Sequence, residues 1–241
     1  MVTKISSVFP NDKWLSDCIK RARRLDLYHN AVIFNEDTIQ QLITHSNSIV
    51  INTANDLLST VIEALNAYQT FLTGTITPRV EDLWNIIGVK IEHKREEDFS
   101  DHIKSFLEQY FKTEAIIINR EVQLNRGRNG EEGSRTDIWV DAIVKSTNQR
   151  ISLCIEVKGS WNSSAKTAMN DQLIAKYMDN DGAEAGILLI GWFQSKQCHQ
   201  ANNIWNDNRI KTREEITKQE QQARNNGKLI KGIVIDCDYR I

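Results

Sequence analysis

Apolar residues along the chain fall into two kinds of spacing, helical at the start and mixed afterwards. Trp14, Leu15, Cys18, Ile19, Ala22 and Leu25 form one helical stripe. Ala54, Leu58, Val61, Leu65, Tyr68 and Leu72 form a second, at three- and four-residue steps, and Gly74 supplies its stop. Thr77 before Pro78 suits an N-cap followed by the first helical position, which predicts a short amphipathic helix through Leu83, Trp84 and Ile87. A boundary is expected between Gly88 and Arg95, dividing a helical region, 1–92, from a second domain, 93–241.

Past that boundary Phe99, Ile103, Phe106, Leu107 and Tyr110 give one apolar helix face, and Ala115 to Leu124 is rich in strand formers. Arg126 to Gly133 is a polar, glycine-bearing loop. Thr136 to Val144 and Ile151 to Val157 alternate with a period of two about a polar turn and predict a hairpin. Helical spacing returns from Ala165 to Met178. Ala185 to Phe193 is a nearly continuous apolar run fit for a buried strand, Thr212 to Asn225 is a charged helix, and Leu229 to Ile235 closes with a strand. The order helix, three strands, helix, strand predicts an α/β domain.

The 241 residues are 40% hydrophobic and 26% charged, an ordinary globular balance. No apolar run approaches the roughly 20 residues needed to span a bilayer, and the first ten residues lack the apolar core of a signal peptide, so a cytoplasmic location is expected. A formal charge of −2 argues against non-specific coating of nucleic acid, although a local basic groove remains compatible with it. Cys18, Cys154, Cys198 and Cys237 form no CxxC or Cys/His knuckle and read as reduced structural thiols.

The chemistry concentrates in Thr136-Asp137-Ile138 and Glu156-Val157-Lys158. Side chains alternate along a strand, so Glu156 and Lys158 share one face while Ile155 and Val157 take the other. An antiparallel hairpin sets Asp137 beside them. Two adjacent carboxylates repel unless a cation lies between them, and hard oxygen donors without His or Cys favour Mg²⁺ or Mn²⁺. On the preceding helix Glu96 falls within the apolar face and Glu97 to its side. Either could add a third acid, and both also suit the N-terminal end of a helix dipole.

These residues resemble the PD-(D/E)XK nuclease superfamily: Asp137 matches the first acid, without a preceding proline, and Glu156-Val157-Lys158 matches (D/E)XK. The resemblance covers the chain beyond the helical N-terminus. It implies a restriction-endonuclease-like αβββαβ core with a mixed central sheet, a Mg²⁺ (or Mn²⁺) ion held at Asp137, Glu156 and Val157, a catalytic Lys158, and hydrolysis of DNA phosphodiester bonds, with RNA left open. Gln172 is similar to the Gln of RecB-like nucleases. The Tyr of that motif follows four residues after the Gln, whereas Tyr177 follows five after and Lys176 holds the four-residue position. Arg120, Arg135 and Lys176 are the candidate nucleic-acid contacts.

The wider pattern, from Asn119-Arg120 through Gly186-Ile187-Leu188, resembles nuclease modules of bacterial anti-phage defence or restriction. Such effectors work with a separate sensor or ATPase, and no Walker-A loop occurs in this chain. Two other readings compete: a nuclease fold that only binds DNA or a protein partner, and an N-terminal region that oligomerises or docks a sensor. The Ala54 to Leu72 stripe is the surface expected to pair copies into a homo-oligomer.

Overall fold

The computed structural model describes residues 50–74, 79–88, 90–111, 116–123, 135–144, 146–195, 204 and 208–239. The chain divides into two compact units, Met1–Ser48 and Ile49–Ile241. The expected helix at Trp14 to Leu25 and the Arg126 to Gly133 loop lie outside the described residues.

Helix α1 (Ala54–Thr73) opens on a reciprocal cap in which the Asp56 N–H donates to Thr53 Oγ1 and the Thr53 N–H to the Asp56 carboxylate. Its stripe of Leu57, Leu58, Val61, Leu65, Tyr68 and Leu72 is buried against α2 (Glu96–Tyr110) and the central sheet. This corrects two expectations. Leu58 and Leu65 belong to the interior of their own domain and are not a surface for pairing copies, and a boundary at residue 92 would cut through a core that, among the described residues, includes Ile51 to Ile91 on one side and Phe99 to Cys237 on the other.

The expected helix through Ile87 is also replaced. A 3₁₀ turn, Val80–Leu83, gives way to strand β1 (Trp84–Ile87), which pairs antiparallel with β2 (Lys90–His93). Gly88, at φ 62°, turns the chain between them in a backbone region that favours glycine, and Trp84, Ile86 and Ile87 are better suited to a strand than to a helix. The hairpin is fastened by Trp84 Nε1 donating to the Cys237 carbonyl at 2.9 Å, and it delivers the chain directly into Glu96.

The central sheet has five strands in the order β3 (Ile116–Gln123), β4 (Arg135–Ile143), β5 (Arg150–Gly159), β6 (Ala185–Trp192), β7 (Ile230–Asp236). β3, β4 and β5 are antiparallel, and β5, β6 and β7 are parallel. α1 and α2 cover one face, packing on Ile138, Val140, Leu153, Ile155, Val157, Ile187 and Leu189. A π-helix, Met169–Met178, and α3 (Arg209–Asn225) cover the other, on Trp139, Cys154, Leu188, Ile190 and Trp192. The fold is therefore α/β with a mixed sheet, and β5 is central and buried on both sides. Among the described residues no helix is long and apolar enough to cross a membrane.

Candidate active site

β5 carries Ile151, Leu153, Ile155 and Val157 into the α1–α2 core, while Cys154, Glu156 and Lys158 turn toward the π-helix. Glu156 is 2% and Lys158 8% exposed, so two opposite charges are enclosed at the carboxyl end of a central strand. Ile138 of β4 is paired with Ile155, which sets Asp137, one step beyond, beside Glu156. The Val157 N–H donates to Asp137 Oδ2 at 2.8 Å. Val157 thus contributes its backbone here, its side chain being core.

Glu96 arrives from the opposite face of the sheet as the first residue of α2. Its Oε1 accepts from the Gly159 N–H at 2.7 Å and from Asn162 Nδ2 at 2.9 Å, and its Oε2 also accepts from Asn162 Nδ2 at 2.9 Å. Lys158 Nζ lies 2.5 Å from Glu156 Oε1 and 4.0 Å from Glu96 Oε2. Two carboxylates therefore approach a single ammonium, and the charge of a third, Asp137, also acts on it. Glu97 is exposed, and Asp98 turns back to Arg95 at the helix start, so of the three acids there only Glu96 joins the cluster.

The electrostatics follow from this excess of negative charge. Burial, then the charge of Glu156, push the Asp137 carboxyl up to about 7, against the opposing pull of Lys158 and the Val157 N–H. Burial likewise raises Glu156, more than Lys158 and the Tyr177 hydroxyl facing it lower it. For Lys158 burial works toward the neutral amine, but Glu156, Asp137 and Glu96 outweigh it and hold the ammonium charged. Tyr177 is raised, by burial and by the two carboxylates beside it.

The helix after β5 departs from the sequence expectation in a way that changes the site. Instead of one α-helix over Ala165 to Met178 there is a 3₁₀ turn, Ser163–Lys166, and then ten residues of π-helix. Hydrogen bonds from i to i+5 widen the turn, so residues five apart come near one face. Gln172 and Tyr177 are five apart. Tyr177 is buried with its hydroxyl toward Glu156, and Gln172 keeps a buried Oε1 that has no hydrogen-bond partner among the described residues. Lys176, which an α-helical wheel turned toward the sheet, is exposed. Arg120 and Arg135 lie on β3 and β4, with their side chains outside what is described.

Sequence reasoning missed Asn162 as a member of this cluster and put Tyr177 off register. The five-residue interval was visible, but only the π-helical turn makes it one step around the helix. Trp161 is a wall of the site: it stacks on His93 with ring centroids 3.4 Å apart and covers Gly159, where an added Cβ would fall 2.4 Å from the Trp161 ring. That close approach is why a glycine follows Lys158.

Oxygen donors with excess negative charge and a buried carboxylate oxygen, Glu156 Oε2, that has no hydrogen-bond partner among the described residues are the chemistry a hard divalent cation requires. Among the described residues no three His, Cys, Asp or Glu side chains are gathered closely enough to hold a metal ion as they stand. The Asp137–Glu156 pair fits such an ion in kind, with Lys158 as the cation that now balances it.

Residues 57–195 match the model of a family described as a domain of unknown function, DUF8371. The match takes in more than half of the chain, which belongs to this family. It runs from α1 to the end of β6 and includes every member of the cluster, from Glu96 to Tyr177. No curated protein and no solved structure matches the chain.

Proposed function

We propose that the chain is a metal-dependent nuclease of the PD-(D/E)XK superfamily, hydrolysing phosphodiester bonds of DNA as an anti-phage defence or restriction effector. The observation that carries the reading is the enclosed Asp137–Glu156–Lys158 group at the carboxyl end of a central strand. A merely structural ion pair gains little from burying a second acid that Lys158 must share. The element order helix, three strands, helix, strand around a mixed sheet supports it, as does the third carboxylate arriving on the first turn of α2. The defence role rests on the sequence resemblance alone.

Asp137 and Glu156 would hold Mg²⁺ or Mn²⁺, with Val157 contributing only through its backbone. When bound, the ion supplies Lewis-acid polarisation of a phosphoryl oxygen and lowers the pKa of a water. The protein's own part is to position charge. Lys158, kept protonated by three carboxylates, can orient the attacking water or neutralise charge that develops on the phosphoryl oxygens. The Tyr177 hydroxyl steadies the Glu156 carboxylate, and Gln172, on the same π-helix, keeps a buried amide oxygen that has no hydrogen-bond partner among the described residues.

Purified full chain on supercoiled plasmid and on single-stranded RNA, with Mg²⁺, Mn²⁺ or EDTA, tests the reading. Cleavage of DNA that needs the divalent ion and disappears in Lys158→Ala supports it. Absence of cleavage of either polymer, with the protein folded and the ion present, contradicts it.

A further inference from the structure

Asn162 lies outside every motif named for the site, yet three elements meet at it, two on its side chain and one on its main chain. Its Nδ2 donates to both oxygens of Glu96, at 2.9 Å each. Its Oδ1 accepts from the Ser164 N–H at 2.9 Å and from Ser164 Oγ at 2.8 Å, opening the 3₁₀ turn that leads into the π-helix. Its own N–H returns to the Gly159 carbonyl at 3.0 Å, which ties it to the end of β5. The amide cannot be reversed, because inverting it would set an oxygen against the Glu96 carboxylate and an NH₂ against the Ser164 N–H.

We infer that Asn162 is a positioning residue that holds Glu96 in place for the divalent ion, an inference that rests on the metal-dependent reading of the cluster. Glu96 has three rotatable side-chain torsions and sits 4.0 Å from the Lys158 ammonium. Without Asn162 it keeps the Gly159 N–H alone and is free to close onto Lys158, in competition with Glu156. With Asn162 both of its oxygens are engaged, and the lysine stays with Glu156 at 2.5 Å. Asn162 thereby joins the α2 side of the site, through Glu96, to the element that carries Gln172 and Tyr177.

Two substitutions separate this role from the cap. In Asn162→Ser a hydroxyl can still accept from Ser164 but is too short to reach Glu96; Asn162→Ala removes both contacts. The experiment is Mn²⁺ titration by calorimetry on the full chain without nucleic acid, for the wild type, both variants, Glu96→Gln, and Asn162→Ser combined with Glu96→Gln. Cleavage and thermal melting are measured on the same samples. Both Asn162 variants are expected to weaken Mn²⁺ binding by about 10–100-fold, the range of groups that orient metal ligands, with Asn162→Ser melting as the wild type does. In the Glu96→Gln background Asn162→Ser is expected to cause no further loss.

Wild-type affinity in Asn162→Ser, a loss that persists undiminished in Glu96→Gln, or no uptake of Mn²⁺ by the wild type overturns the inference. If the wild type binds Mn²⁺ and cleaves neither DNA nor RNA, the nuclease reading fails, and Asn162 is still judged by the titration. If the wild type cleaves and Asn162→Ser matches it in both readouts, the inference about Asn162 fails alone.

Discussion

Two aspartates on one face of the β4–β5 hairpin, four residues apart, live in opposite surroundings. Asp141, toward the turn, accepts from Trp139 Nε1 at 2.9 Å and Ser152 Oγ at 2.6 Å, with Arg150 at 3.8 Å. Its charge is met by neutral donors and an exposed guanidinium. Asp137, at the open end, receives a backbone N–H and lies beside Glu156, whose partner ammonium, Lys158, also lies 4.0 Å from Glu96. Residue type and strand face are the same, so the difference lies in what the neighbouring positions donate. One end is satisfied by its own fold; the other keeps a surplus of negative charge and a buried carboxylate oxygen without a partner among the described residues. Such a surplus is a standing cost to stability that a purely structural hairpin has no reason to retain.

The contrast is broken most severely by exchanging the outcomes at the two ends. Asp137→Ala, Glu156→Ala and Lys158→Ala are each expected to abolish metal-dependent cleavage under single-turnover conditions. Asp141→Asn is expected to leave the rate near that of the wild type and, by disturbing the Trp139 and Ser152 bonds, to lower stability by about 1–3 kcal/mol in urea. Comparable rates for the Asp137 and Asp141 variants would erase the distinction. Next in size is the interior of α1: Leu58→Lys with Leu65→Glu should yield insoluble or unfolded protein, since both positions are enclosed and buried unpaired charge costs several kcal/mol. A folded, soluble double variant with a changed sedimentation coefficient would instead return that stripe to the surface.

A smaller effect is expected on the π-helix. Tyr177→Phe and Gln172→Ala should each reduce cleavage by about 10–100-fold, because they support the site from beside the carboxylates. An unchanged rate for Tyr177→Phe would mean the π-helical register brings nothing to Glu156. Lys176→Ala and Glu97→Ala, both exposed, should change little.

The smallest effect concerns the metal-free protein. With its pKa raised from 3.8 to about 7, Asp137 binds more proton in the folded chain than in the unfolded chain between those values. Stability in EDTA should therefore fall as pH rises through that window, and Asp137→Asn should flatten the fall. His93 and His102, whose burial lowers their pKa, pull stability the other way over the same interval, so the test is the difference between the wild type and Asp137→Asn in denaturation midpoints at pH 5 and pH 7.5, and equal pH dependence in the two proteins would contradict the surplus of charge.

Much of this arrangement was legible as pattern. The period of two in Ile151 to Val157 places Glu156 and Lys158 together, and the hairpin brings Asp137 to them, because alternation and antiparallel register are local rules. Apolar periodicity placed α1, but could not say what its stripe packs against, since a helix face looks the same whether its partner is its own sheet or a second copy. Trp84 to Ile87 failed for a related reason: a Thr-Pro start argues for a helix, and the strand pairing that overrides it comes from Lys90 to His93 across a glycine turn. Tyr177 and Asn162 were illegible for a third. The π-turn and the side-chain bonds to Glu96 arise from tertiary packing, and no interval along the chain announces either.

One assay bears on the surplus charge at the open end of the hairpin before any other. Glu156→Gln keeps shape and volume and removes a single negative charge, so a single-turnover plasmid assay in Mg²⁺ compares a cluster with its charge against one without it. Ion-dependent cleavage by the wild type and none by Glu156→Gln, with both proteins melting as folded domains, is the predicted result. Cleavage by Glu156→Gln at the wild-type rate would place the chemistry somewhere else in the molecule.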